Sequence, residues 1–195
     1  MKESAKLVIA LAAICLAAGA LLGWVNSLTA GPIEETERRV KMAAIRKVLP
    51  PCSNSPDADT LVVEEDGKKW TFHVARSENG FAGAAFETAS AAGYGGGISV
   101  MVGVNAEGAV HAVEILRHKE TPGLGAKIIE PAFTGQFAGK DTRETTWAVK
   151  KDGGEIDAVT AATISSRAVV EAVKAGLDAY IKHEAQIAEV GTDGG

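Results

Sequence analysis

The sequence predicts an α+β fold: an antiparallel sheet with flanking helices, preceded by one N-terminal transmembrane helix. Three observations carry this. Residues 7–25 are almost wholly apolar, and no charged residue occurs between Lys6 and Glu34, a stretch long enough to cross a bilayer as a helix. Between residues 70 and 116, strand-like alternation is broken by glycine-rich turns, the pattern of antiparallel hairpins. Beyond Thr163, the residues Val169, Ala172, Val173, Gly176, Leu177, Tyr180 and Ile181 recur at helical spacing, which marks a long core-facing helix. Hairpins followed by such a helix give the α+β class.

Taken in order, residues 1–31 form a cytoplasmic stub and the transmembrane helix. Trp24 sits near the far end of the apolar run, where amphipathic rings favour the interface. Lys2 and Lys6 precede the run and Glu34 and Glu35 follow it. The positive-inside bias therefore places the N-terminus in the cytoplasm and the remainder on the periplasmic or extracellular side. Leu28-Thr29-Ala30 is a poor cleavage site, and Ile14 before Cys15 does not suit lipid attachment, so the segment is expected to stay as an anchor. Residues 32–59 are a juxtamembrane helix and linker. Pro32 opens it, residues 33–49 are rich in helix formers, Val40, Ala44 and Val48 are placed to pack on the domain, and Pro50-Pro51 stop the helix. Residues 60–183 form the extracytoplasmic domain, with strands expected over 70–74, 80–89, 98–104 and 109–116. Asn105-Ala106-Glu107-Gly108 turns one hairpin. Two more short strands, 146–150 and 155–159, flank the turn Lys151-Asp152-Gly153-Gly154. Residues 184–195 are a polar, flexible tail.

A chain of 195 residues fits one domain plus an attachment. Its formal net charge of −5 argues against a nucleic-acid partner. Cys15 and Cys52 cannot plausibly pair, and no Cys-x-x-Cys occurs, which argues against iron–sulfur clusters and attached haem. The histidines are scattered without metal spacing; His118 and Lys119 read as a solvated pair. No carboxylate pair or nucleophile–base pair points to hydrolysis, and no metal site or autonomous catalytic site is expected.

The densest chemistry lies in Asp157-Ala158-Val159-Thr160-Ala161-Ala162-Thr163-Ile164-Ser165-Ser166-Arg167, hydroxyls and small residues at the entrance of the long helix. Serine and threonine there are ordinary helix caps. The free N–H groups and positive dipole end of a helix also attract a phosphate, and a threonine hydroxyl could hold one or be esterified to it. Residue chemistry alone leaves both readings open.

The motif Thr160-Ala161-Ala162-Thr163-Ile164-Ser165 resembles the Ser-Gly-Ala-Thr-x-Ser/Thr sequence of proteins that carry FMN covalently, with Thr160 in place of Ser and Ala161 in place of Gly. The resemblance implies that a flavin transferase joins the FMN phosphate to Thr163 as a phosphoester. Gly93-Tyr94-Gly95-Gly96-Gly97-Ile98 resembles a strand entrance of the same domains, with Gly97 where proline is common. His118-Lys119-Glu120-Thr121-Pro122-Gly123-Leu124-Gly125 resembles their Glu-Thr-Pro-Gly-Leu-Gly loop. Phe137-Ala138-Gly139-Lys140 and residues 147–154 also look like family segments. On this resemblance the cofactor-binding set is Thr163, Thr160, Ala162, Ser165, Glu120, Thr121, Leu124 and Gly125. Leu124 would pack on the isoalloxazine face, Glu120 and Thr121 would hydrogen-bond near the ring or ribityl chain, and Lys150 would face the phosphate.

Together with the single anchor and the short region before the domain, these segments are similar to the G-subunit family of the Rnf complex, the ion-translocating ferredoxin:NAD oxidoreductase of the bacterial or archaeal inner membrane. That resemblance implies an electron-transport subunit with covalent FMN, in a translocase that couples electron flow to proton or sodium transport. Ferredoxin and NAD would be bound by other subunits, since no dinucleotide fingerprint follows a strand here. The alternatives are the C subunit of the sodium-translocating NADH:quinone reductase, a non-redox phosphate-ligand-binding module, or an assembly module.

Overall fold

In the computed structural model, residues 2–65 and 67–190 are described. Met1, Asp66 and the last five residues of the expected tail, 191–195, lie outside them. The chain divides into two compact units, Met1–Val40 and Lys41–Gly195. The described residues of the first unit are all helical. Helix α1, Lys2–Val48, passes through Pro32 without stopping, so the expected break between an anchor and a separate juxtamembrane helix is absent. One proline removes a single backbone bond, and the long runs of helix formers on both sides carry the helix across it. The hydroxyl of Thr36 bonds the Pro32 carbonyl at 2.8 Å. Leu7, Ile9, Leu16 and Leu22 are all well exposed, and this helix is long and apolar enough to cross a membrane.

The second unit is built on a five-stranded antiparallel meander: β1 (Thr60–Glu65), β2 (Lys68–Ser77), β3 (Gly80–Gly93), β4 (Gly96–Asn105) and β5 (Val110–Arg117), in the order β1-β2-β3-β4-β5. The four expected strands are β2 to β5. Strand β1 is an addition to them: Glu64 and Glu65 break its apolar run, and it lies at the sheet edge, where only β2 pairs with it. The Asn105–Gly108 turn forms as expected, with the Asn105 carboxamide oxygen accepting from Ala109 N–H at 2.8 Å.

One face of the sheet is covered by α3, Thr163–Glu189. Its Val169, Ala172, Val173, Leu177 and Tyr180 pack with Phe72 and Phe86 in the main core. Gly176 lets the helix backbone approach β3 directly: a Cβ there would lie 2.5 Å from the Phe86 ring. On the other face, the last turns of α1 place Ile45 and Val48 against Ala75, Ala85 and Met101. Of the three α1 residues expected to pack, Ala44 and Val48 are buried and Val40 is half exposed.

Between β5 and α3 the chain runs through short turns and α2, Pro131–Thr134, and contributes Ile128, Phe133 and Phe137 to the core. The two short strands expected around residues 151–154 do not form. Val149 and Ile156 make only an isolated parallel bridge, and Lys150–Asp152 is a 3₁₀ turn. The chain doubles back too closely for a ladder: a Cβ on Gly154 would sit 2.0 Å from the Ala148 carbonyl oxygen. The first residues of the expected flexible tail, from 184, are helical instead. Helix α3 continues to Glu189 with Ile187 fully buried. Arg76 of β2 donates to the carbonyls of Ala188 at 2.6 Å and Val190 at 2.7 Å, satisfying groups that a helix end otherwise leaves open.

Candidate functional site

Three segments distant in sequence meet at the start of α3: the β3–β4 turn at Tyr94-Gly95, the loop 118–125, and residues 161–165. They enclose a cleft of about 620 Å³ lined by Tyr94, Glu120, Thr121, Leu124 and Gly125 on one side and Ala161, Ala162, Thr163, Ile164 and Ser165 on the other. Seven of the eight residues singled out from the sequence line it. Thr160 does not; it borders a separate depression of about 280 Å³ with Lys127, Gln136 and Asp157.

The start of α3 has no conventional cap. Its N-cap residue is Ala162, and no side chain bonds the first-turn N–H groups, so the plain capping role open to these hydroxyls is not the one they play. The reason lies in the neighbouring hydroxyls, which are turned elsewhere. Ser165 donates to Glu120 Oε2 at 2.7 Å. Ser166 accepts from Val159 N–H at 2.9 Å and donates to the Ala162 carbonyl at 3.0 Å. Thr163, half-buried, lines the cleft at the helix start, where the first N–H groups have no intrahelical partner. Ala161 precedes it with φ +62°, the only non-glycine residue at positive φ among the described residues. It occupies the place where the flavin motif has glycine, and nothing in the sequence itself marks alanine as forced into that conformation.

Glu120 organises the wall. It is buried, at 5% exposure. Its Oε1 accepts from Gly95 N–H at 3.1 Å and its Oε2 from Ser165, so one carboxyl group ties the β3–β4 turn, the loop and α3 together. The glycines around it serve close approach. A Cβ on Gly93 or Gly125 would lie 2.7 Å and 2.5 Å from the carboxyl oxygens, and one on Gly95 would lie 1.9 Å from the Lys119 carbonyl oxygen. In the loop, Leu124 N–H donates to the Thr121 carbonyl at 3.2 Å across Pro122 and Gly123, the latter at φ +75°. Proline followed by a positive-φ glycine is the type II turn signature. It delivers Leu124, 49% exposed, to the mouth of the cleft.

Other expected contacts are engaged elsewhere. The Lys150 ammonium pairs with Asp157 at 2.7 Å, and so is not directed to a phosphate at Thr163. Arg167 grips Asp152 with two bonds of 2.6 Å, which hold the Asp152 carboxyl below its ordinary pKa. His118 accepts from Glu120 N–H at 3.2 Å through Nδ1. Among the described residues no group of three or more His, Cys, Asp or Glu is placed to hold a metal ion. Three lining residues stand outside the set expected from the sequence, Tyr94, Ala161 and Ile164. An aromatic between glycines at a hairpin tip is the available signal for the first.

The sequence pattern of the FMN-binding domain matches residues 93–178, a span that begins at the β3–β4 turn and closes within α3, so it contains every wall of the cleft. The G subunit of the ion-translocating oxidoreductase complex of Aliivibrio fischeri is 36% identical over 200 residues, covering 96% of this chain and 93% of its own. Its counterpart in Stutzerimonas stutzeri is 39% identical over 181 residues, covering 88% and 76%. Among solved structures, the C subunit of the Na⁺-translocating NADH-quinone reductase of Parabacteroides distasonis shares the fold at 20% identity, with a TM-score of 0.59 over 76% of this chain and 94% of that one. Identity at this level along nearly the whole length, with the FMN-domain pattern laid over the cleft, shows that the chain belongs to the family of G subunits of ion-translocating oxidoreductase complexes.

Proposed function

We propose that this chain is the membrane-anchored electron-transfer subunit of an ion-translocating ferredoxin:NAD oxidoreductase and carries FMN as a phosphoester of Thr163. The observation that carries the reading is the position of Thr163: it lines the cleft at an uncapped helix start, while Ser165 and Ser166 are committed to internal bonds. The residues fit the group. A cleft of about 620 Å³ lies within the range of small-molecule sites, roughly 300–1,000 Å³. Open N–H donors and the helix dipole suit a phosphate, and Leu124 offers an apolar surface to the ring. FMN, when bound, supplies reversible one- and two-electron transfer.

Thr163 fixes the phosphate end. In such an ester Thr163 Oγ would take the place of the phosphate's bond to its donor on the transferase, with the hydroxyl proton and the displaced half of the donor leaving together. Ala162 and Gly125 keep side-chain bulk away from that end. Thr121, exposed on the rim, would bond the ribityl chain or ring edge. Ser165 and Glu120 act through the wall they brace. Thr160, outside the cleft, takes no direct part.

The anchor is α1, with its N-terminus in the cytoplasm and the domain on the periplasmic or extracellular side. A helix without a charge in its apolar run offers no ion pathway, so proton or sodium movement belongs to partner subunits, as do the ferredoxin and NAD sites. Coverage of 96% by a G-subunit relative favours this family over the C subunit of the NADH:quinone reductase.

Mass measurement of the purified chain tests the attachment. Wild type is expected to carry the FMN mass and to fluoresce at its own band on a denaturing gel, and Thr163→Ala to carry none. Flavin retained by the mutant sinks the assignment, and a colourless wild type made alongside the transferase leaves the non-redox or assembly reading. Orientation is tested by Cys52, which is exposed: an impermeant thiol reagent should label it from outside intact spheroplasts. Labelling only in inverted vesicles reverses the topology.

A further inference from the structure

Resting on that reading of the cleft, we infer that Tyr94 forms one face of the flavin site, stacking its phenol on the isoalloxazine ring and quenching its emission. Tyr94 is 73% exposed, at the tip of the β3–β4 hairpin, and it lines the same cleft as Thr163. Exposure at a hairpin tip is ordinary when the tip is loose, but this one is held. Gly93 pairs with Gly96 across the turn, Gly95 N–H is bonded to the buried Glu120 carboxyl, and the Gly95 backbone lies flush on the Lys119 carbonyl, where no side chain would fit. The backbone thus holds the Cα of an aromatic residue at a fixed place beside the cleft and leaves most of its side chain uncovered.

Leu124 and Ile164, each 49% exposed, come to the same cleft from two other segments. A scattered apolar side chain on a surface needs no explanation. Three from separate segments, gathered around one helix start with a free hydroxyl, are explained by a flat apolar group lying among them. With the phosphate end fixed at Thr163, the ring end has these side chains for neighbours. The electron-rich phenol matches the electron-poor ring of an oxidised flavin, and offset stacking is the favoured arrangement of such faces. An excited flavin stacked on a phenol takes one electron from it, and the electron returns within the same pair. No net chemistry follows, but the emission is lost.

The experiment uses the full chain in detergent, produced with the transferase. Flavin per chain is measured first by mass, then emission per attached flavin is compared among wild type, Tyr94→Trp, Tyr94→Phe and Tyr94→Leu. Wild type and Tyr94→Trp should be dim, because both side chains donate an electron readily. Tyr94→Phe and Tyr94→Leu should be severalfold brighter, and all four should converge on unfolding in guanidinium. Because Tyr94 is exposed in a two-residue turn, none of these changes disturbs the core. Equal emission from all four folded proteins, each with flavin attached, overturns the placement of Tyr94. Absence of flavin mass on wild type overturns instead the assignment of Thr163.

Discussion

Ala161 holds a left-handed backbone, φ +62°, two residues before Thr163, where an L side chain costs roughly 1–2 kcal/mol. Strain of this kind persists only where the surroundings dictate it. Here Ala162 N–H closes a turn onto the Val159 carbonyl at 2.9 Å and Ser166 bonds back to the Ala162 carbonyl, so the turn that aims Thr163 at the cleft is fixed from both sides. Ala161→Gly should relieve the strain and lose part of the gain to greater freedom in the unfolded chain, for a net stabilisation of about 0.5–1 kcal/mol. Ala161→Val should move the other way. Denaturant midpoints at constant slope read both changes, and a less stable glycine variant would show that the turn is not strained.

Between elements, the closest approach is that of α3 to β3. The Phe86 ring that Gly176 faces is fully buried, edge-on to Phe72 at 5.5 Å and stacked on Tyr180 at 6.0 Å, so it has nowhere to go. Gly176→Ala gains about 1 kcal/mol of helix propensity and loses roughly 1–3 kcal/mol to overpacking. The expected outcome is a net loss of about 1 kcal/mol; a variant as stable as wild type would mean that α3 can lift off the sheet. On the opposite face, two titratable groups make stability depend on pH. Burial pushes the His73 pKa down, so its contribution is complete above the ordinary histidine value of 6.5 and declines as pH falls through it. Burial alone would raise the Glu87 pKa, but hydrogen bonds from Lys41 and Ser99 and the charges of Lys41 and Arg117 together lower it. Its contribution is therefore present above the ordinary value of 4.5 and lost as pH falls below it. Melting curves should show two successive losses on acidification, and His73→Gln should flatten the first. An unchanged first step would clear His73 of responsibility.

For the molecule as a whole, the folded domain that follows the apolar run is complete only with the end of α1. Deleting residues 1–31 should leave a soluble folded domain, because Ile45 and Val48, both fully buried, are retained. Deleting residues 1–49 removes them and uncovers Ala75, Ala85 and Met101. Each buried aliphatic side chain is worth about 1.5–3 kcal/mol, so the shorter form should melt lower or aggregate. If both forms melt alike, residues 41–49 lie outside the domain's core; if the longer one still needs detergent, α1 is not the sole apolar surface.

The apolar run, strands β2 to β5, the Asn105 turn and α3 were legible in the sequence because each is set by local periodicity and turn chemistry. Thr163, Glu120 and Leu124 were legible through short motifs, and the cleft brings them together. Part of what sequence reasoning missed depends on partners far along the chain. Helix α3 runs past residue 184 because Arg76, 112 residues away from Ala188, donates to its last carbonyls. Pro32 does not end α1, because propagation on both sides outweighs one lost bond. The expected strands near residue 150 give way to a tight return that local alternation cannot distinguish from a hairpin. Local pattern thus determined which segments form which elements and where the hydroxyls lie. Only the tertiary structure decided which hydroxyl is free, because Ser165 and Ser166 are drawn to Glu120 and Val159 by contacts that exist only once the sheet, the loop and the helix have met.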